Sequence, residues 1–270
     1  MCKFVIPFYY LTYSRLKSIP EKLSLIWIYP LFLVVFLFGF YQVDTMPHLF
    51  LILLAFVAWM SMYEIGYLEN DAMTIKKESN PNLRIPLQDI NFIEINFGKI
   101  VLIRLLIFMG STSIFFFFNV WSTKQIIWFV LIVLLVRLFF YKHNRIRSRW
   151  NILSYFFLCV CKYWVFPIIY LGFEYGLEPY WIILICFPIL RTIEHAVKPK
   201  YKIQWLKKWV GSLDNFRVKY YAIFLVMASL YSFGFSMTPI FFYSIAYYFL
   251  FRTGVWFLIR SGRFSRESLT

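Results

Sequence analysis

The side chains best suited to chemistry crowd one short stretch. It reads Tyr63-Glu64-Ile65-Gly66-Tyr67-Leu68-Glu69-Asn70-Asp71-Ala72-Met73-Thr74-Ile75-Lys76-Lys77-Glu78, then Ser79-Asn80-Pro81-Asn82-Leu83-Arg84. Nothing in it breaks a helix before Ser79, and Pro81 biases Asn80 away from helical geometry. On a helix, Glu64, Tyr67, Asp71, Thr74 and Glu78 share one face at spacings of three and four, and Asn70 flanks it. Carboxylates and an amide oxygen on one face are hard oxygen ligands. They suit Mg²⁺, with substrate phosphates completing the coordination. The same residues also suit a solvated helix end that pairs Glu78 with Lys76 or Lys77.

The elements that carry this stretch follow from composition. Of the 270 residues, 61% are hydrophobic and only 15% charged, and the mean hydropathy is +0.67. Soluble domains run nearer to about 45–50% apolar, so an ordinary water-soluble enzyme is excluded and a polytopic all-helical membrane bundle is expected. Eight spans are expected, at about 23–41, 48–68, 97–118, 125–141, 152–172, 179–195, 218–235 and 238–259, all in one membrane domain 1–270. No small-residue cleavage site follows the first apolar run, which reads as an uncleaved span. Lys and Arg number 28 against 13 Asp and Glu. They gather at the N-terminus, in the second, fourth and sixth loops and in the tail, whereas the odd loops hold only Lys124. That asymmetry places both termini in the cytoplasm, in an inner or plasma membrane. Cys2, Cys159, Cys161 and Cys186 form no CxxC pair, so zinc is not expected.

Charge inside the spans is the second signal. Lys162 and Arg104 fall within expected spans, and each costs about 2.5–3.5 kcal/mol at a lipid-facing helix centre. Glu64, about two turns inside the second span, is the natural counter-charge. Either the three line a polar cavity, or they form a structural salt bridge between helices. Arg137 is close enough to a helix end to snorkel to the interface. Trp205 and Trp209 flank Lys207 and Lys208 on a short amphipathic segment that suits the membrane surface, and Phe4–Leu16 reads the same way.

The pattern Asn70-Asp71-x-x-Thr74-x-x-x-Glu78-x-x-Pro81-x-x-Arg84 resembles the first aspartate-rich motif of the UbiA superfamily of intramembrane prenyltransferases. In that family the motif likewise closes the second span, and a second acidic motif follows the sixth. Here the sixth span ends in Arg191-Thr192-Ile193-Glu194-His195-Ala196-Val197-Lys198-Pro199. The loop Tyr141-Lys142-His143-Asn144-Arg145 resembles the family's tyrosine-plus-basic segment. Three departures stand out: Thr74 replaces the middle aspartate, Glu78 the last, and the second motif keeps one carboxylate, Glu194.

The resemblance implies a UbiA-like fold that transfers a prenyl group from a diphosphate donor to an aromatic or lipid acceptor at the cytoplasmic face. It implies Mg²⁺ held by Asn70, Asp71, Glu78 and Glu194. Phosphate contacts would come from Arg84, Arg145, Arg191 and Lys198, and a substrate contact from Tyr67. Asp71, Glu194 and Lys162 would be the catalytic residues. The partners are then an isoprenoid or polyprenyl lipid, the diphosphate donor and the membrane, with no nucleic acid. A second possibility is transfer of a phosphorylated ribose from its 1-diphosphate to a polyprenyl phosphate in envelope polysaccharide synthesis. A third is a non-catalytic scaffold or a transporter. A transporter would show paired broken helices in two halves, which the sequence does not.

Overall fold

The structure, a computed structural model, describes residues 1–16, 18–43, 46–77, 83–234 and 239–262. The described residues are helical, with no strand. The chain divides into two compact units, Met1–Tyr175 and Gly176–Thr270.

The first unit opens with two short helices, α1 (Cys2–Val5) and α2 (Tyr9–Arg15). Helix α3 (Ile19–Ile26) starts on a capping box, in which Ser18 and Glu21 satisfy each other's backbone N–H. It then runs through π-helical turns, one containing Pro30, as far as Phe40. Proline has no N–H to give the preceding turn, which favours such widening. Helix α4 (Met46–Leu68) continues as a π-helical turn over Glu69–Thr74. Helix α5 (Leu87–Phe117) follows Pro86. Helix α6 (Thr123–Arg145) begins on a second capping box, between Ser122 and Gln125, and α7 (Trp150–Tyr170) packs along it. Helix α4 is the hub and packs against both α5 and α6.

The second unit holds α8 (Glu178–Cys186), α9 (Pro188–Ala196), α10 (Gln204–Val210), α11 (Leu213–Ser229) and α12 (Ile240–Arg260). Helices α11 and α12 form its main pair, with α8 and α9 packed against them.

Among the described residues six helical stretches are long and apolar enough to cross a membrane: Glu21–Phe40, Leu51–Thr74, Leu87–Phe117, Thr123–Arg145, Trp150–Tyr170 and Ile240–Arg260. These match six of the eight expected spans. The expected span 179–195 is two helices that meet at Phe187, whose φ of −144° and ψ of −56° break the helix. Pro188 explains the break, since the residue before a proline is pushed out of helical geometry. The expected span 218–235 is the 17-residue α11 followed by a π-helical turn.

The surface of these stretches is inverted relative to a soluble protein. Leu102, Leu106, Phe116, Leu134 and Leu138 are exposed, while Glu64 and Arg104 are completely buried. Such an apolar exterior is a liability in water and a match for hydrocarbon. Trp205 and Trp209 on α10 are exposed, in keeping with the interfacial segment expected there.

The N-terminal stretch departs from expectation. Instead of lying on the membrane, Phe4 and Tyr10 are fully buried against Leu68, Ala72, Ile93 and Ile100. Arg104 donates to the Phe4 carbonyl at 2.7 Å, and the Leu11 N–H donates to Glu64 at 2.9 Å. The apolar face that sequence alone assigns to lipid is taken up by protein.

Candidate functional site

The site forms where α4 gives way to its π-helical turn. Gly66 makes this possible. A Cβ at that position would lie 2.2 Å from Cγ of Phe140, so only glycine lets the ring lie flat on the backbone. Asn144 Nδ2 then donates to the Gly66 carbonyl at 3.0 Å, locking the last turns of α6 against α4. The wider turn that follows also alters the helical phase. Glu69, off the predicted face, swings round to accept from Arg137 at 3.1 Å and Arg145 at 3.0 Å.

Asp71 is buried at 1% exposure, and both of its oxygens are occupied. Oδ2 accepts from the Tyr10 hydroxyl at 2.9 Å and Arg15 Nη1 at 2.6 Å. Oδ1 accepts from Arg15 Nη2 at 3.1 Å, Asn70 Nδ2 at 3.0 Å and Arg84 Nη1 at 3.4 Å. The Arg15 guanidinium also lies 4.0 Å above the Tyr67 ring, a cation–π contact. Arg147 donates to the Thr74 carbonyl at 3.0 Å and ties down the end of the turn.

Two guanidinium groups thus share one carboxylate. Burial opposes the charge on Arg15, but Asp71 outweighs it and raises its pKa. The pKa of Arg84 moves the other way, lowered first by the neighbouring Arg15 charge and then by burial. Burial, reinforced by Asp71, pushes the Tyr10 phenol well up, so it remains a donor. The balance at this spot is one unit of positive charge in excess. Arg84, whose side chain is 41% exposed, carries that excess to the surface.

Arg84 opens onto a cleft of about 660 Å³, lined also by Tyr9, Thr12, Tyr13, Leu16, Lys22 and Pro86. Thr12, Leu16 and Lys22 also line a second hollow of about 180 Å³. Its remaining walls are apolar or aromatic, among them Leu25, Ile26, Tyr29, Pro30 and Met60. A cationic mouth and an apolar slot therefore share three lining residues.

The other expected charges fall as follows. Glu64 pairs with Arg104 at 2.9 Å, both at 0% side-chain exposure, and Arg104 also donates to the carbonyls of Met60 and Ser61. The pair is a sealed clamp between α4, α5 and the N-terminal stretch, and so the structural alternative for these two residues. Lys162 stands over the Tyr29 ring at 4.2 Å and near Tyr63 at 5.7 Å. Arg145 goes to Glu69 rather than Asp71 and stacks on Tyr141 at 3.6 Å. Glu78 lies outside the described residues. In the second unit Arg191 and Glu194 are paired, and Lys198 is exposed at the turn after α9.

A divalent ion does not fit the Asp71 arrangement. The carboxylate oxygens already face two guanidinium groups and a phenol, and the Asn70 amide is turned to donate to that carboxylate. Among the described residues no three His, Cys, Asp or Glu side chains converge as metal ligands. An Mg²⁺ would have to displace Arg15 and Arg84 to reach this carboxylate.

Comparison with protein-family models, with curated proteins and with solved structures finds no match to this chain.

Sequence reasoning missed Tyr10, Arg15, Glu69 and Arg137, and in the second unit Arg217. The first two come from a segment more than fifty residues away in the chain, and the π-helical turn carries no composition signal. Tyr10 and Arg15 carry no signal of their own, since an interfacial segment is built from the same residue types.

Proposed function

We propose that this protein is an intramembrane transferase that takes an isoprenoid diphosphate, with the headgroup in the Arg84 cleft and the first part of the tail in the apolar slot. The observation that carries the reading is the juxtaposition of that cationic mouth and that slot, sharing Thr12, Leu16 and Lys22. A diphosphate beside Arg84 and Lys22 relieves the positive excess around Asp71. Guanidinium suits bidentate contact with phosphate oxygens, and the lysine adds a point charge. Ile26 at the slot is half-exposed, so a tail longer than the slot continues into lipid.

The reaction this supports is prenyl transfer of the UbiA-like kind. The C–O bond to the diphosphate breaks, and the electron pair leaves with the diphosphate. The arginines stabilise the charge that develops there. The allylic carbon bonds to the nucleophile of an aromatic or lipid acceptor, which loses a proton to solvent at the cleft. Asp71 acts as a positioning residue that holds Arg15 and Arg84. The distribution of basic residues favours a cytoplasmic position for this mouth.

One feature favours a second reading. Tyr9, Thr12 and Tyr13 line the cleft with hydroxyl oxygens, which suit the hydroxyls of a sugar. Transfer of a phosphorylated ribose onto a polyprenyl phosphate would use the same mouth and slot. The test is incubation of purified protein with labelled prenyl diphosphate or phosphoribosyl diphosphate and a mixed acceptor pool, with lipid-phase product counted. Wild type is expected to yield product that Arg84→Gln reduces at least tenfold. Absence of product from both donors, across chelator and added Mg²⁺, would overturn the transferase reading.

A further inference from the structure

Between Ala196 and Leu213 the second unit carries five lysines and no Asp or Glu, and all five lysines are exposed. Within this stretch Trp205, Lys208 and Trp209 fall on one face of α10, at spacings of three and four. Both tryptophans on that face are largely exposed, Trp205 at 72% and Trp209 at 64%. The stretch is fastened at both ends. Tyr201 is buried and shares a hydrogen bond with His195 Nε2 at 2.5 Å. At the other end Val210 is buried, and the Trp209 ring leans edge-on against Phe216, with centroids 5.1 Å apart. The lysines and tryptophans are therefore displayed on a held scaffold.

The height of this scaffold in a bilayer follows from α12, a stretch long and apolar enough to span. In the last turns of α12, Trp256 Nε1 donates to Asn215 Oδ1 at 2.7 Å, and Arg260 lies over the Trp256 ring at 5.0 Å. A tryptophan and an arginine at the end of a span mark the headgroup level. Asn215 stands in the first turn of α11, so the junction of α10 and α11 is pinned at that level. Tryptophan suits it because the ring is amphipathic. Lysine suits it because its stem lies along apolar surface while the ammonium stays in water. An interfacial anchor needs the tryptophans alone. Lysines without a neighbouring acid add a choice among lipids, since they attract anionic headgroups far more than zwitterionic ones. Nucleic acid would use the same charge, but the tryptophan pair stands where hydrocarbon begins, which favours lipid.

We propose that Lys200, Lys202, Lys207 and Lys208, with Trp205 and Trp209, form a docking surface for anionic phospholipid headgroups in the leaflet where α12 ends. The tryptophans set the depth, and the lysines select the charge. The surface belongs to the second unit alone and does not depend on the diphosphate reading of the first. Because the attraction is Coulombic and near water, it weakens as salt rises.

The test uses the full chain with the exposed Cys2 changed by Cys2→Ser and a fluorophore attached through Gln204→Cys at the start of α10. This parent is reconstituted in phosphatidylcholine nanodiscs. Phosphatidylglycerol, or phosphatidylcholine, carrying the same headgroup quencher is added at increasing mole fraction. Phosphatidylglycerol should quench at a mole fraction at least about fivefold lower. Lys207→Gln combined with Lys208→Gln should bring that preference below about twofold, and high salt should do the same to the parent. The equal-charge control, Lys124→Gln with Lys142→Gln, alters two exposed lysines outside this surface and should leave the preference unchanged. Trp205→Ala with Trp209→Ala should weaken quenching by both lipids alike. Equal quenching by the two lipids in the parent would overturn the proposal, as would a preference that survives the Lys207 and Lys208 changes. If that variant does not fold, the salt titration of the parent decides, and a preference indifferent to salt overturns the proposal. Binding of a labelled oligonucleotide without any phosphatidylglycerol preference would overturn it in favour of nucleic acid.

Discussion

Glu64 and Arg104 offer the clearest energetic test of the first unit. Both are completely buried, and their pair joins α4 and α5 to the N-terminal stretch through the Leu11 N–H and the Phe4 carbonyl. Glu64→Gln strands the Arg104 charge, and breaking a buried pair from one side costs about 3–5 kcal/mol. Arg104→Met strands Glu64 and also removes the donor from the Phe4, Met60 and Ser61 carbonyls. The Met60 and Ser61 carbonyls keep their backbone partners inside α4, but the Phe4 carbonyl is left unpaired at a cost of about 1–3 kcal/mol, so this variant should suffer more. The double variant loses the same hydrogen bonds but strands no charge. Its cost should fall short of the sum of the singles by at least about 2 kcal/mol, the coupling expected of a direct buried contact. The assay is unfolding in detergent, read with amide hydrogen exchange over residues 2–16. Both singles should raise exchange at Leu11 and its neighbours, because the clamp holds that segment. Additive costs within about 0.5 kcal/mol, or unchanged protection of residues 2–16, would refute the clamp.

Further expectations concern packing, pH and orientation. Gly66→Ala places a methyl inside the Phe140 ring and should destabilise by about 1–3 kcal/mol through overpacking; Gly66→Ala combined with Phe140→Leu should recover part of the loss in the same melting assay. The Asp89 hydrogen bond raises the pKa of Lys3 above 10.5 and that of Tyr13 above 10.0. This contribution is fully present below pH 10 and is lost as pH rises through the raised values. The difference in melting temperature between wild type and Lys3→Met should therefore be flat from neutral pH to about pH 10 and shrink above it. Cysteines introduced at Lys76, Arg147 or Lys207 should label only from the cytoplasmic side, and labelling from the opposite side would reverse the proposed orientation.

Much of the fold was legible because lipid imposes a simple rule on sequence. Apolar runs of sufficient length marked six of the helices, and the cost of charge in a span marked Glu64 as the partner of Lys162 or Arg104, of which the structure pairs it with Arg104. The Asp71 neighbourhood also stood out, since polar residues crowd a helix end there. What stayed hidden was tertiary. Phe4–Leu16 has an apolar face that suits lipid or protein equally, and only the folded chain shows that Leu68 and Ile100 cover it. Periodicity assumes 3.6 residues per turn, so the π-helical turn at Glu69–Thr74 moved Glu69 to Arg137 and Arg145 without a signal. The break at Phe187 was legible from Pro188 but was overridden by the run of apolar residues around it. Arg217 joins Glu194 from a separate helix, and no local pattern joins them.

The central claim is that the Arg84 mouth and the slot beside it hold the two ends of one amphiphile. It is tested most directly by equilibrium binding of labelled geranylgeranyl diphosphate to the purified chain in the presence of chelator. Geranylgeraniol and inorganic pyrophosphate serve as the two half-ligands, and Arg84→Gln as the variant. The account predicts that the whole molecule binds at least a hundredfold more tightly than either half. It also predicts that Arg84→Gln weakens the diphosphate at least tenfold while leaving the alcohol unchanged. Equal affinity of wild type and Arg84→Gln for the diphosphate, or binding that vanishes in chelator, would contradict an arginine-held headgroup at this site.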